Sequence, residues 1–299
     1  MNESLARVSE VFSLLKPLPT NLEQVQRIGS PNDGGYVLIN DFTSDDFLIS
    51  MGVADDVNFE MSVAPLVAGS HLYDFSIDDL PRPIPNGQFF QERIGGTGCT
   101  TLQDVVSKVP NNLDLILKID IEGSEWEAFD FSHGVDLKKF RQIVIEFHWL
   151  ENILNEELFF RILRVLKKFN ESHFVLNSHA NNHGDTLSIE NISLPSVLEV
   201  TYLRRNSYQI EEFNPLSQEK LAKLNKPCNP NEPELYFLDS LDFKNLLFGS
   251  NSIGFYSRFK YHSLTQERDS LTQERDVLQN SRLWRWSLPY RSLRSKHRK

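Results

Sequence analysis

Four short runs, apolar on nearly successive residues, limit what this chain can fold into. Residues 47–51 end at Gly52, 72–73 at Asp74, 115–119 at Asp120 and 143–147 at His148. A strand wetted on one face alternates polar with apolar residues, whereas a strand covered on both faces has no reason to alternate. The runs therefore read as inner strands of a parallel sheet. Parallel neighbours need a crossover connection, and residues 157–169 supply one, with Leu158, Ile162, Val165, Leu166 and Phe169 at helical spacing. The expected fold class is α/β, an open sheet with helices on its faces.

Other segments extend this frame. Leu5, Val8, Phe12 and Leu15 predict a helix over residues 5–15, stopped before Pro17 and Pro19. Gly34-Gly35 forms a turn ahead of a strand at 36–39. Residues 174–177 and 197–203 read as further strands, with a polar loop carrying His179, Asn181, Asn182 and His183 between them. Residues 214–251 are rich in Pro and Asn without periodicity and read as loop. SLTQERD at 263–269 repeats letter for letter at 270–276, so Leu264, Leu271 and Leu278 recur every seven residues. One apolar position per heptad is less than the two-position seam of a coiled coil, so a homodimer through residues 261–281 and an exposed helix both stand. The expected organisation is a helical cap at 1–26, a main domain at 27–206, a loop-rich extension at 207–260, the heptad helix at 261–281 and a basic tail at 282–299.

Charge is unevenly spread. The net −10 divides into +7 on residues 282–299 and −17 on the rest, because the tail holds seven Lys/Arg and no acid. An acidic body argues against a nucleic-acid partner, while the tail suits either an anionic surface or plain solvation. Two cysteines, Cys99 and Cys228, build no disulfide framework. Glu3, Arg7 and Glu10 interrupt the apolar residues of the first 17, unlike a signal peptide, and no apolar run approaches 18 residues. A cytoplasmic location is expected, with peripheral contact at the inner face of the membrane through residues 282–299.

In a doubly wound sheet, ligands sit beyond the carboxyl ends of the strands. Gly52 opens a turn there, but no G-x-G-x-x-G follows, and Asp55 and Asp56 repel phosphate. A plain turn with an acidic helix cap is the alternative for this stretch. Asp74 stands 22 residues after Gly52, where a carboxylate grips a ribose diol, or else caps a loop. Together the two favour an adenosyl ligand without phosphates. Asp120 and Glu122, turned by Gly123, suit a hard cation, a general base or a cationic ligand. They also suit an acid-rich helix N-terminus, the class to which Glu125 and Glu127 are assigned.

The stretch Lys118-Ile119-Asp120-Ile121-Glu122-Gly123-Ser124-Glu125-Trp126-Glu127 resembles the signature of FkbM-type methyltransferases. Asp33-Gly34-Gly35-Tyr36-Val37, Gly52-Val53-Ala54-Asp55-Asp56, Asp74, Val144-Ile145-Glu146-Phe147-His148, His179-Ala180-Asn181-Asn182 and Glu199-Val200-Thr201-Tyr202 support it, over residues 27–205. Ala54 stands where many class I methyltransferases have a second glycine. The resemblance implies a Rossmann-like class I sheet of seven strands, mostly parallel with the last antiparallel. It implies S-adenosylmethionine held by Gly52, Val53, Asp55, Asp74, Phe75 and Asp120, with Asp120, Glu122 and His148 catalytic. Related sugar O-methyltransferases hold a divalent ion, which would place Mg²⁺ or Mn²⁺ on Asp120, Glu146 and His148; without a metal, His148 or Glu122 would be the base. Both His148 and His179 are equally open to a purely hydrogen-bonding role. Amide and imidazole groups at His179, Asn181 and Asn182 suit a sugar or glycan acceptor, or an Asn-rich turn. The tail is similar to the Trp-Arg endings of bacterial surface-polysaccharide enzymes. The expectation is a sugar or glycan O-methyltransferase; a glycosyltransferase-associated or noncatalytic scaffold protein of surface-polysaccharide assembly is the alternative.

Overall fold

The computed structural model describes residues 3–132, 134–189, 192–212 and 215–235. The heptad and the basic tail lie outside the described residues. Helix α1 (Glu3–Leu14) leads into a hairpin of β1 (Val25–Gly29) and β2 (Gly35–Ile39). Then come β3 (Asp46–Met51), α2 (Asn58–Val63), β4 (Ser70–Tyr73), β5 (Gly87–Phe90), α3 (Leu102–Ser107), β6 (Asp114–Ile119) and α4 (Glu125–Asp130). They are followed by β7 (Phe140–Phe147), α5 (Glu156–Ser172), β8 (His173–Ala180), a hairpin of β9 (Thr186–Ile189) and β10 (Ile192–Pro195), β11 (Leu198–Arg204) and α6 (Pro215–Leu224).

Seven strands form one sheet in the order β5-β4-β3-β6-β7-β11-β8. The pairs from β5 to β7 are parallel, and β11 runs antiparallel to both β7 and β8. The unbroken apolar runs follow from two covered faces. Phe47, Ile49 and Met51 of β3 pack with Leu117, Ile119, Ile145 and Phe147 against α1, α4 and α5, around Phe12, Trp126, Phe129 and Phe169. Leu48, Ile116 and Val144 point the other way, onto Ile28, Tyr36, Leu38, Phe59 and Val63 from the hairpin and α2. Burying a side chain of this size is worth about 1.5–3 kcal/mol, so the two layers fix which face each residue takes.

Buried polar groups tie the β1–β2 hairpin to the sheet. Gln142 donates to the carbonyl of Ile39 at 2.8 Å and accepts from its N–H at 3.0 Å. Thr201 Oγ1 donates to the carbonyl of Val37 at 2.7 Å. The turn at Asp33 is thereby held beside the ends of β7 and β11.

Four features depart from the sequence expectation. β8 continues through Ala180, so His179 sits on a strand and not in a loop. The strand expected at 174–177 is present, and its continuation was hidden because Ser178 and His179 are buried and partnered, Ser178 donating to the carbonyl of Leu15 at 2.6 Å. α6 lies inside the stretch expected to be loop-rich, opening on Pro215, whose missing N–H costs nothing in the first turn. β5 is a half-exposed edge strand without an apolar run. β1, β9 and β10 pair only with hairpin partners and carry weak patterns.

Candidate active site

The carboxyl ends of β3, β4, β6 and β7 meet on one edge, where the strand order reverses between β3 and β6. Gly52 leaves β3 at φ 75°, and a Cβ there would lie 1.5 Å from the backbone oxygen of Asp120. The two loops touch backbone to backbone, which only glycine permits at this φ. Beneath them, the buried Lys118 amine donates to the carbonyl of Gly52 and lies 4.0 Å from Asp120 Oδ2. Glu60 of α2, buried beside Lys118, accepts from Ser50. Burial pushes the Glu60 pKa up, against the opposing pull of Lys118.

Asp74 ends β4 with all its lone pairs engaged. One oxygen accepts from the N–H groups of Val53 (2.9 Å) and Ala54 (2.8 Å), the other from Ser76 N (2.7 Å) and Oγ (2.6 Å). Burial opposes its charge, but these donors prevail and hold its pKa below the ordinary range. The carboxylate thus locks the β3 loop, including Ala54 in the left-handed region at φ 49°, against β4. Val53 is buried, whereas Asp55 and Phe75 are exposed, with the Arg93 guanidinium 5.2 Å from the Phe75 ring centroid.

After β6 the chain folds back sharply, with Glu122 at φ 55° and Gly123 at φ 96°. The Trp149 ring lies against Gly123, where a Cβ would come within 2.3 Å of it, and Trp149 itself has φ 64°. Left-handed conformations at three non-glycine residues, Ala54, Glu122 and Trp149, concentrate on this edge. Such residues cost of order 1–3 kcal/mol each and persist where surrounding contacts enforce them.

At the Glu122–Gly123 turn, Glu125 is the enforcing contact. It is fully buried at the start of α4, and its Oε1 accepts from Ile121 N (2.9 Å) and Gly123 N (3.2 Å). The same oxygen is 3.1 Å from His148 Nδ1. Since the carboxylate accepts, Nδ1 carries the proton, and Nε2 is left facing Glu122 Oε2 at 3.5 Å and Asp120 Oδ1 at 3.9 Å. Burial disfavours the imidazolium, but the Glu125 hydrogen bond and the charges of Glu125, Asp120 and Glu122 outweigh it, raising the His148 pKa to about 8. Trp126 Nε1 donates to the carbonyl of His148 at 2.7 Å and fixes its backbone.

A second cluster lies alongside. Glu146 of β7 and Glu199 of β11 face each other in register, and Asp33 joins them from the hairpin turn. Burial, and then the charges of Asp120, Glu199 and Asp33, push the Glu146 pKa well above its usual range, although Asn181 donates to it at 2.6 Å. His179 lies between two carboxylates, with Nδ1 2.9 Å from Glu199 and Nε2 2.8 Å from Glu234. Burial opposes its charge, but the two partners raise its pKa to about 9. Cys228 Sγ donates to the other oxygen of Glu199 at 3.2 Å, and burial followed by the Glu199 charge pushes the thiol up. Asn182 donates to the carbonyls of Asn229 (2.9 Å), Glu232 (3.1 Å) and Pro233 (3.2 Å) and accepts from Asn229 N at 2.7 Å.

The structure thus groups Asp120, Glu122 and His148, whose ligand atoms lie within 4.8 Å of one another, and places Glu146 with Asp33 and Glu199 instead. The polar groups of His179, Asn181 and Asn182 contact protein, and His179 and Asn182 hold residues 229–234 to the sheet edge. Sequence reasoning did not single out Glu125 as an orienting group, nor Cys228 and Glu234 as neighbours of the edge. A hint existed only for Glu199, an acid inside an apolar run.

A seven-stranded sheet of this order, with β11 alone antiparallel to its neighbours, is the class I methyltransferase fold. Residues 31–173 match the family model of the methyltransferase FkbM domain, so the chain carries an FkbM-type, S-adenosylmethionine-dependent methyltransferase domain. Three solved structures are similar at low identity. A dimethyladenosine transferase from Plasmodium falciparum is 14% identical with a TM-score of 0.34, covering 56% of this chain and 58% of that one. A Streptococcus mutans protein of the methyltransferase class, in complex with SAH, is 12% identical (TM-score 0.30), covering 68% and 99%. An rRNA methylase from Streptococcus thermophilus is 11% identical (TM-score 0.32), covering 55% and 89%. A search of the curated proteins returns no match. The donor set fits the cofactor: the carboxylates of Asp120 and Glu122 suit a cationic ligand, and the exposed Phe75 ring beside Asp74 is a flat face of the kind an aromatic base stacks on.

Proposed function

We propose that the protein methylates a hydroxyl group of a sugar or surface glycan, with His148 as general base and Glu125 as the group that orients it. One observation carries this reading: His148 gives Nδ1–H to a buried carboxylate and turns Nε2 toward Asp120 and Glu122 at the ligand edge of the sheet. Bound S-adenosylmethionine supplies an electrophilic methyl group on sulfur. His148 Nε2 would take the proton of the acceptor hydroxyl, leaving its oxygen free to accept the methyl group that the cofactor supplies. Asp120 and Glu122 stabilise the imidazolium that results. Gly52, Val53, Asp55 and Phe75 would hold the cofactor, with Asp74 fixing the loop that carries Val53 and Ala54. The strained loops fix these groups in place, so that positioning supplies much of the rate. His179 and Asn182 shape the acceptor side by holding residues 229–234 beside it, Asn181 does so through Glu146, and the exposed Trp149 offers a sugar ring an apolar face.

Transfer of isotopically labelled methyl from S-adenosylmethionine to a panel of sugars and polysaccharides tests the reading, with cofactor binding followed by calorimetry. His148→Gln is expected to bind cofactor normally and to lose about 10²–10⁴-fold in kcat. Undiminished turnover in this variant overturns the base. Transfer to none of the acceptors by cofactor-bound protein favours the scaffold reading. A second reading places a divalent ion on Asp120, Glu122 and His148, whose ligand atoms are close enough to share one. In that case chelation abolishes turnover and Mg²⁺ or Mn²⁺ restores it; with His148 acting alone, chelation changes nothing.

A further inference from the structure

Beside the methyl-transfer edge, His179, Glu199 and Cys228 bring one nitrogen, one oxygen and one sulfur within 4.8 Å of one another, each residue buried. They come from three separate pieces of chain: β8, β11 and the segment after α6. We propose that these three side chains bind a zinc ion, which fastens the segment carrying Cys228 and Glu234 to the end of the sheet.

The chemistry of the donors selects the metal. Thiolate and imidazole together suit zinc and disfavour magnesium and calcium, which take oxygen. Tetrahedral zinc with bonds of about 2.0–2.3 Å spaces its ligand atoms roughly 3.3–3.8 Å apart. The present separations of 2.9 Å from His179 Nδ1 to Glu199 and 3.2 Å from Cys228 Sγ to Glu199 need only small side-chain movements to reach this. A second, independent feature points the same way. A zinc-bound histidine almost always gives its other N–H to a carboxylate or carbonyl. His179 Nε2 already lies 2.8 Å from Glu234, while Nδ1 faces Glu199.

Zn²⁺ bound by one carboxylate, one neutral imidazole and one thiolate carries no net charge, so the filled site is neutral beside the Glu146 that faces Glu199. Glu199 supplies one or both oxygens, and water completes the sphere where only one is used.

The test uses the full chain. Metal content is measured after purification without chelator, and the apoprotein is then titrated with Co²⁺, whose bond to a thiolate gives a near-ultraviolet charge-transfer band. One equivalent of zinc and a thiolate–cobalt band at one equivalent are expected. Cys228→Ser should abolish the band and Cys99→Ser should leave it intact. Glu234→Gln should keep the band but weaken affinity about 10–100-fold. Absence of both stoichiometric metal and the band, or a band that survives Cys228→Ser, overturns the proposal. Neither result bears on methyl transfer at His148.

Discussion

At His148 the field around one side chain sets the pH at which it works. A base must be neutral to accept a proton. Glu125, Asp120 and Glu122 favour the charged form and place the pKa at about 8, so kcat/KM is expected to rise with pH and level off above about 8. Glu125→Gln removes the charged partner while leaving an oxygen for Ile121 N and Gly123 N, and the limb should move down toward the ordinary 6.5. A limb that stays put in the pH–rate profile would assign it to another group. The same shift appears in stability. The raised pKa contributes stability that is complete below about 6.5 and lost as pH rises through about 8. Denaturant melts of wild type and Glu125→Gln across that window should converge at the alkaline end. Asp120, Glu122 and His148 were legible in the sequence because each follows the end of an apolar run. Glu125 was not, since its burial depends on the left-handed turn at Glu122 and Gly123, which no spacing rule reveals.

Elements were legible to the degree that burial left a pattern on them. β3, β6, β7 and α5 announce themselves because their faces are covered by apolar neighbours. β8 does so only over residues 174–177, because the buried polar residues that continue it, Ser178 and His179, look like a loop. The segment that follows α6 was equally opaque, with Asn182 supplying three donor contacts and one acceptor contact to it. A net hydrogen bond is worth about 1 kcal/mol, so Asn182→Ala should loosen this segment by roughly 2–4 kcal/mol. Hydrogen exchange at Asn229, and proteolysis within residues 225–235, should accelerate together while the amides of β6 and β7 keep their protection. Unchanged exchange at Asn229 would mean that other contacts hold the segment. Gly123→Ala acts on the neighbouring loop: a Cβ at φ 96° against the Trp149 ring forces the ring away. A loss of about 2 kcal/mol in stability is expected, read as a lower denaturant midpoint.

For the molecule as a whole, the sheet class was legible and its strand order was not. Apolar runs report coverage on two faces but carry no record of neighbours, and the meeting of Gly52 with Asp120 depends on β3 lying beside β6. Charge is a whole-molecule property that the sequence does disclose. No helix among the described residues is long and apolar enough to cross a membrane. Contact with a bilayer through residues 282–299 is an expectation from charge alone. Those residues carry +7 with Trp284 and Trp286, against −17 elsewhere. Each cation near an anionic surface is worth about 1 kcal/mol, and Trp and Leu enter the headgroup layer. The acidic remainder is repelled by the same surface. Full-length protein should therefore co-sediment with anionic vesicles and not with neutral ones, and a chain ending at Ser281 should stay in solution. Raising salt from about 0.1 M to 1 M shortens the screening length from about 10 Å to 3 Å and should release the full-length protein. Equal sedimentation of both chains would place the membrane contact on the acidic body, where charge opposes it, and the tail would lose its assignment.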